Sequence, residues 1–193
     1  MRSIIRNVIT VGALAVVAVA TGAARTTTPD TMTLSKESRL WLEGTSTVRS
    51  FKCTAGKLDV VVASEPSASP SKLVQSASLV VPVSSLDCAN KTMNEHMMKA
   101  LKAADNPQIS WKLNSYSVTG TTVVMSGLLT IAGKQNPIEI TGSGSTDANG
   151  TIRMTGSKEL KMSEYGVKPP SLMLGTMKVR DPVKVSFDLV LNP

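Results

Sequence analysis

Apolar side chains recur at every second position over much of the chain. Ile109, Trp111 and Leu113 fall on one side of an extended segment, with Ser110, Lys112 and Asn114 on the other. Near the C-terminus Val183, Val185, Phe187, Leu189 and Leu191 alternate with Lys184, Ser186, Asp188 and Val190, and Ile138 and Ile140 alternate with Glu139 and Thr141. A period of two sends successive side chains to opposite faces of a strand, so one face is apolar and the other wet. Short runs rich in Val, Ile, Leu and Thr, bounded by turn residues, predict about eight strands. They cover 38–45, 57–63, 74–83, 108–118, 122–132, 137–145, 151–160 and 183–191.

The connections between these runs are short. Asn149-Gly150 suits a type I′ hairpin, because both residues tolerate positive φ. Gly120 marks another turn, and Gly133 opens a third that Asn136-Pro137 closes. Residues 26–35 read as a polar lead-in. The stretch 64–71 reads as a loop, because Pro66 and Pro70 exclude a central strand.

One segment follows a different period. Met93, Met97, Ala100, Leu101 and Ala104 fall at helical spacing, with Lys99 and Lys102 on the wet face. Thr92 and Glu95 have the spacing of a capping box, and Asn106-Pro107 stops the segment. The prediction is a short amphipathic helix over 93–104. Eight antiparallel strands must hide their apolar face, and one short helix is too little cover for an open sheet. Closing the sheet into a barrel hides that face and removes both edges. A β-sandwich is the competing solution.

Length and charge narrow the picture. The chain has 193 residues, enough for one ordinary domain with a targeting segment. Arg2 and Arg6 precede an apolar run over 8–20, and small residues, Ala18, Ala20, Gly22, Ala23 and Ala24, mark its end and the positions after it. This is the layout of a secretory signal peptide over 1–24, cleaved after Ala20 or Ala24. The domain is then 25–193, in a periplasmic or secreted protein. The formal net charge of +7 becomes about +5 once Arg2 and Arg6 leave with that segment. The cations are scattered and aromatics make up only 3% of the chain, which argues against a nucleic-acid surface and leaves a weak attraction to anionic membranes. One His and two Cys exclude a metal site built mainly from those residues. In an exported chain Cys53 and Cys88 are expected to form a disulfide, stabilising by roughly 3–4 kcal/mol on the chain-entropy account.

Four stretches resemble the YceI-like family. They are Ser38-Arg39-Leu40-Trp41-Leu42-Glu43-Gly44-Thr45-Ser46-Thr47-Val48-Arg49-Ser50-Phe51; Asn94-Glu95-His96-Met97 leading to Asn106-Pro107-Gln108-Ile109-Ser110-Trp111; Leu128-Leu129-Thr130-Ile131-Ala132-Gly133; and Met162-Ser163-Glu164-Tyr165-Gly166-Val167. The resemblance implies an all-β fold, an eight-stranded antiparallel lipocalin-like barrel with a short amphipathic helix near its mouth. It also implies an isoprenoid quinone or polyprenyl lipid in the lumen. The apolar faces then supply the lining expected along the lipid tail: Trp111, Leu113, Met125, Leu129 and Ile131 on two neighbouring strands, and Ile138, Ile140, Met154, Phe187 and Leu189 on later ones. Met93, His96, Met97 and Leu101 fall at the mouth. Met98, Met162, Met173 and Met177 join them as adaptable lumen or lid side chains.

Catalytic chemistry has little to draw on. His96 is the single imidazole, and there is no Gly-x-Ser-x-Gly elbow. Gly142-Ser143-Gly144-Ser145 lacks the following helix that a phosphate loop requires. His96 is expected to dock the helix through a hydrogen bond, and Lys91, Lys99, Lys102 and Lys134 to meet lipid headgroups. The leading reading is a non-enzymatic lipid binder or carrier. The alternatives are a barrel filled by its own side chains and, further off, an enzyme acting on an isoprenoid lipid. The oligomeric state stays open, a dimer included.

Overall fold

The computed structural model describes residues 30–64, 73–172 and 176–193. The expected signal segment 1–24, most of the loop 64–71 and Met173 lie outside the described residues.

Strand pairing follows from the alternation. β1 (Asp30–Leu34) and β2 (Arg39–Ser46) run end to end along one edge of β12 (Met177–Asn192). β3 (Ser50–Ala55) and β4 (Asp59–Ser64) return alongside them. β5 (Val74–Pro82), one 3₁₀ turn at Val83–Ser85 and β6 (Leu86–Asp87) form the next interrupted strand. Then come α1 (Lys91–Ala100), β7 (Gln108–Thr119), β8 (Thr122–Ile131), β9 (Lys134–Thr146) and β10 (Ile152–Lys161). A 3₁₀ turn at Met162–Tyr165 and β11 (Ser171–Leu172) lead into β12. With β1–β2, β3–β4 and β5–β6 each taken as one broken strand, eight antiparallel strands succeed one another in chain order among the described residues. β12 closes on β1 and β2, so the sheet is an up-and-down barrel.

The lead-in 26–35 is partly strand, not wholly loop. Met32 turns inward and is buried beside Val62, Ile152 and Leu191, while Thr31 and Thr33 face out. A Thr-rich run looks polar by composition, yet Thr is β-branched and fits a pleated surface. The alternation of Phe51 and Cys53 with Lys52 and Thr54 marks β3, which the short spacing after β2 disguises.

Three local expectations change. Asn90, not Thr92, caps α1: its Oδ1 accepts from the Met93 amide at 2.9 Å. Asn is at least as good a cap as Thr, so the helix starts earlier; it also stops earlier, at Ala100, where Lys102 takes φ 53°. Among the turn residues, Ala132 and Gly133 both have positive φ, the type I′ signature, while of Asn149 and Gly150 only Gly150 does. The Asp147 carboxylate organises the Asn149 loop by accepting from the amides of Asn149 and Thr151. Asn136-Pro137 lies inside β9 rather than closing a turn.

β9 and β10 pair only from Thr146↔Ile152 to Gly142↔Gly156. Beyond that point the two strands part. Pro137 lies on the parted stretch of β9, where its missing N–H forfeits no ladder bond to β10. The 3₁₀ turn bridges the split: Asn136 Nδ2 donates to the Glu164 carbonyl at 2.9 Å, and Tyr165 and Val167 are buried against Leu129, Ile138 and Leu160.

Candidate ligand-binding cavity

The barrel encloses an apolar cavity of about 780 Å³. It exists because the inward positions carry Leu, Ile, Val and Met of moderate size, with few large aromatics to fill the axis. From β7 and β8, Trp111, Leu113, Met125, Leu129 and Ile131 line it. Ile138 and Ile140 contribute from β9, Met154 from β10, and Phe187 and Leu189 from β12. The structure thus brings the ten expected lining residues to one wall. Toward the far end Met32, Val62, Ile152 and Leu191 form a buried apolar cluster, and Val62, Ile152 and Leu191 of it line the cavity.

α1 lies along the other end. Met93, His96, Met97 and Leu101 face the cavity, and Met97 and Leu101 pack against Leu40, Val81 and Leu86. No α1 residue is fully buried, so the apolar face of the helix borders open space more than packed core. His96 makes no hydrogen bond among the described residues, contrary to its expected docking role. The helix is held instead by the Met97 and Leu101 contacts and by polar bonds at its start. Asn94 Oδ1 accepts from the Cys88 amide at 2.8 Å, and Asn94 Nδ2 donates to Asp87 Oδ1 at 2.8 Å. Those hydrogen bonds, from Asn94 first and the Ala89 amide second, hold the Asp87 carboxyl below its ordinary value.

Cys53 and Cys88 form the expected disulfide, which ties β3 to the segment entering α1. Both cysteines are buried and reach the cavity wall, and Cys88 Sγ lies 3.8 Å from Met97 Sδ. Of the further methionines, Met162 and Met177 line the cavity. Met98 does not: it points outward, 36% exposed, because it is one position off the inner face of α1. Lys91 and Lys99 are exposed on α1, Lys102 is exposed just past its C-terminal end, and Lys134 is exposed at the start of β9.

Sequence reasoning missed the first third of the wall. Leu40, Leu42, Phe51, Val60 and Val62 line the cavity from β2, β3 and β4, and Tyr116 and Val123 from β7 and β8. The Phe51/Cys53 alternation was the available signal. The Tyr116 hydroxyl accepts from the Val74 amide at 2.9 Å, joining β7 to β5 below their last ladder pair. Burial pushes the Tyr165 phenol above its ordinary value of 10.0, and the Glu164 carboxylate adds to the shift. The Trp111 ring lies across Gly127, where a Cβ would stand 2.7 Å from Nε1, and Nε1 is buried without a hydrogen-bond partner among the described residues. Trp41 is on the outer face, with Lys52 Nζ 4.7 Å from its ring centroid.

The same architecture occurs in solved structures. BcnA of Burkholderia cenocepacia superposes with a TM-score of 0.68 at 22% identity, over 79% of this chain and 95% of that one. A polyisoprenoid binding domain from Saccharophagus degradans gives 0.65 at 14% identity, over 85% and 98%. The YCEI protein of Campylobacter jejuni gives 0.61 at 17% identity, over 74% and 85%. At these identities the likeness speaks for the fold. No curated protein sequence matches the chain. The YceI-like domain family matches residues 28–191, nearly the whole barrel. On that match, and with the barrel to go with it, the chain belongs to the YceI-like domain family.

Proposed function

We propose that this protein is an exported, non-enzymatic binder of an apolar isoprenoid lipid, a quinone or polyprenyl tail, which it carries or stores in the barrel. The observation that carries this reading is the cavity of about 780 Å³ lined by Leu, Ile, Val, Met and Phe. A barrel meant only as a shell would gain stability by filling that space, since packing a core to native density is favourable. Each methylene of a tail moved from water into such a lumen contributes about 0.8 kcal/mol. The relative from Saccharophagus degradans, described as a polyisoprenoid binding domain, supports the ligand class. The basic, apolar and small-residue order of the first 24 residues supports export.

Native mass spectrometry of the gently purified protein tests this reading. The expected result is a co-purifying apolar mass, released on denaturation, that carries the fragments of an isoprenoid chain. Repeated preparations without any such mass, and without uptake of an added polyprenol, would favour a purely structural barrel.

A further inference from the structure

We propose that Lys158 is a head-group site: it pairs with an anionic head, carboxylate or phosphate, on the ligand whose tail fills the lumen. This deepens, and rests on, the lipid-binding reading above.

Lys158 is on the wrong face for a solubilising lysine. On β10 the inward positions are Ile152, Met154, Gly156, Lys158 and Leu160, and the outward ones are Arg153, Thr155, Ser157, Glu159 and Lys161. The register with β12 is unbroken along the strand, with Lys158 opposite Val185, so no bulge turns the side chain round. Lys158 is half-buried and lines the cavity.

Its place in the wall gives the cation somewhere to act. The β9–β10 ladder ends at Gly142↔Gly156, two residues before Lys158. Lys158 borders both the lumen and a shallow outer depression across that split. Glu139, Glu159 and Glu164 also line the outer depression, yet the ion pair among the described residues is Lys57–Asp59 and none of the three glutamates pairs with Lys158. The lumen side holds no competing anion. Among the described residues the charged residues bordering the cavity are Arg49, Lys158 and Lys161, of which Lys161 is exposed at the outward-facing end of β10, and there is no Asp or Glu. An ammonium beside an apolar cavity is costly unless it is hydrated or paired, and an anion held there by its own tail pairs it without the entropy of capturing a free ion.

The test compares all-trans-retinoic acid with retinol, which share an isoprenoid skeleton and differ in the head. Binding is read by quenching of tryptophan fluorescence, Trp111 being in the cavity wall. Wild type is expected to take the acid about tenfold more tightly than the alcohol, the size of one charge-assisted contact. In Lys158→Gln that ratio is expected to fall to about one, and in Lys158→Arg to persist. A Lys158→Gln protein that melts like wild type and keeps the preference overturns the assignment. So does displacement of the acid by an equal concentration of acetate, which would mark a site for free anions. If wild type takes neither retinoid while polyprenol uptake is intact, the head site falls alone. If polyprenol uptake fails as well, the lumen reading falls with it.

Discussion

Individual side chains define the surface of this barrel more sharply than its composition suggests. Asp181 shows how. The Ser163 hydroxyl donates to its Oδ2 at 2.6 Å and the Ser163 amide to its Oδ1 at 2.8 Å, pinning the start of the 3₁₀ turn to β12. The Ser163 side-chain bond, then its backbone bond, and then the charge of Lys161 lower the Asp181 carboxyl from 3.8. A carboxyl lowered in the fold adds stability above its unfolded value and loses it as pH falls through the folded one. Asp181→Asn is therefore expected to be less stable than wild type at pH 7 and to show a shallower loss of stability below about pH 4. Urea midpoints measured from pH 7 down to pH 3 check this, and parallel curves for the two proteins would contradict it. Gly127 works by absence instead: with no Cβ, it lets the Trp111 ring lie across β8.

At the level of elements, α1 is set by its ends. Its inner face meets the cavity and buries no residue completely, so packing holds it less firmly than it holds a core helix. The Asn90 cap, the Asn94 bonds to Cys88 and Asp87, and the disulfide from Cys53 all act on the first turn or just before it. Asn90→Ala should cost about 1 kcal/mol, whereas Thr92→Ala should stay within about 0.5 kcal/mol of wild type. Thermal or urea unfolding of the two variants distinguishes them. An equal loss in both would restore Thr92 as the cap. Hydrogen exchange across α1 should quicken in Asn90→Ala alone, since the Met93 amide then loses its acceptor.

For the whole molecule, the decisive quantity is the space left along the axis. Leu129 and Ile140 lie on neighbouring strands of one wall, and both line the cavity. Replacing either by Trp puts an indole into volume that a tail would occupy. Leu129→Trp and Ile140→Trp are each expected to cut polyprenol uptake at least tenfold while the barrel still folds, because an apolar cavity accommodates added apolar volume better than a packed core does. Far-UV circular dichroism verifies the fold and a polyprenol titration measures uptake. Wild-type uptake by both variants would move the ligand out of this lumen.

Local order along the chain was already enough to specify most of the strands with their apolar faces, the places of the tight turns and the helix, but not β1, which reads as a polar lead-in, or β3, which the short spacing after β2 disguises. Alternation and helical periodicity depend on neighbours two to four residues apart, and both survive in the linear text. The ten lining positions were legible for the same reason: once a barrel is assumed, the apolar face of each strand must be its inside. What local order leaves open is how strands far apart in sequence meet. Closure of β12 on β1 and β2, the parting of β9 from β10 and the competition between Asn90 and Thr92 to cap α1 are each decided by three-dimensional packing. The room inside is of that kind too. A cavity is the difference between the volume enclosed by the closed sheet and the volume of the side chains pointing into it, and only the assembled barrel contains both.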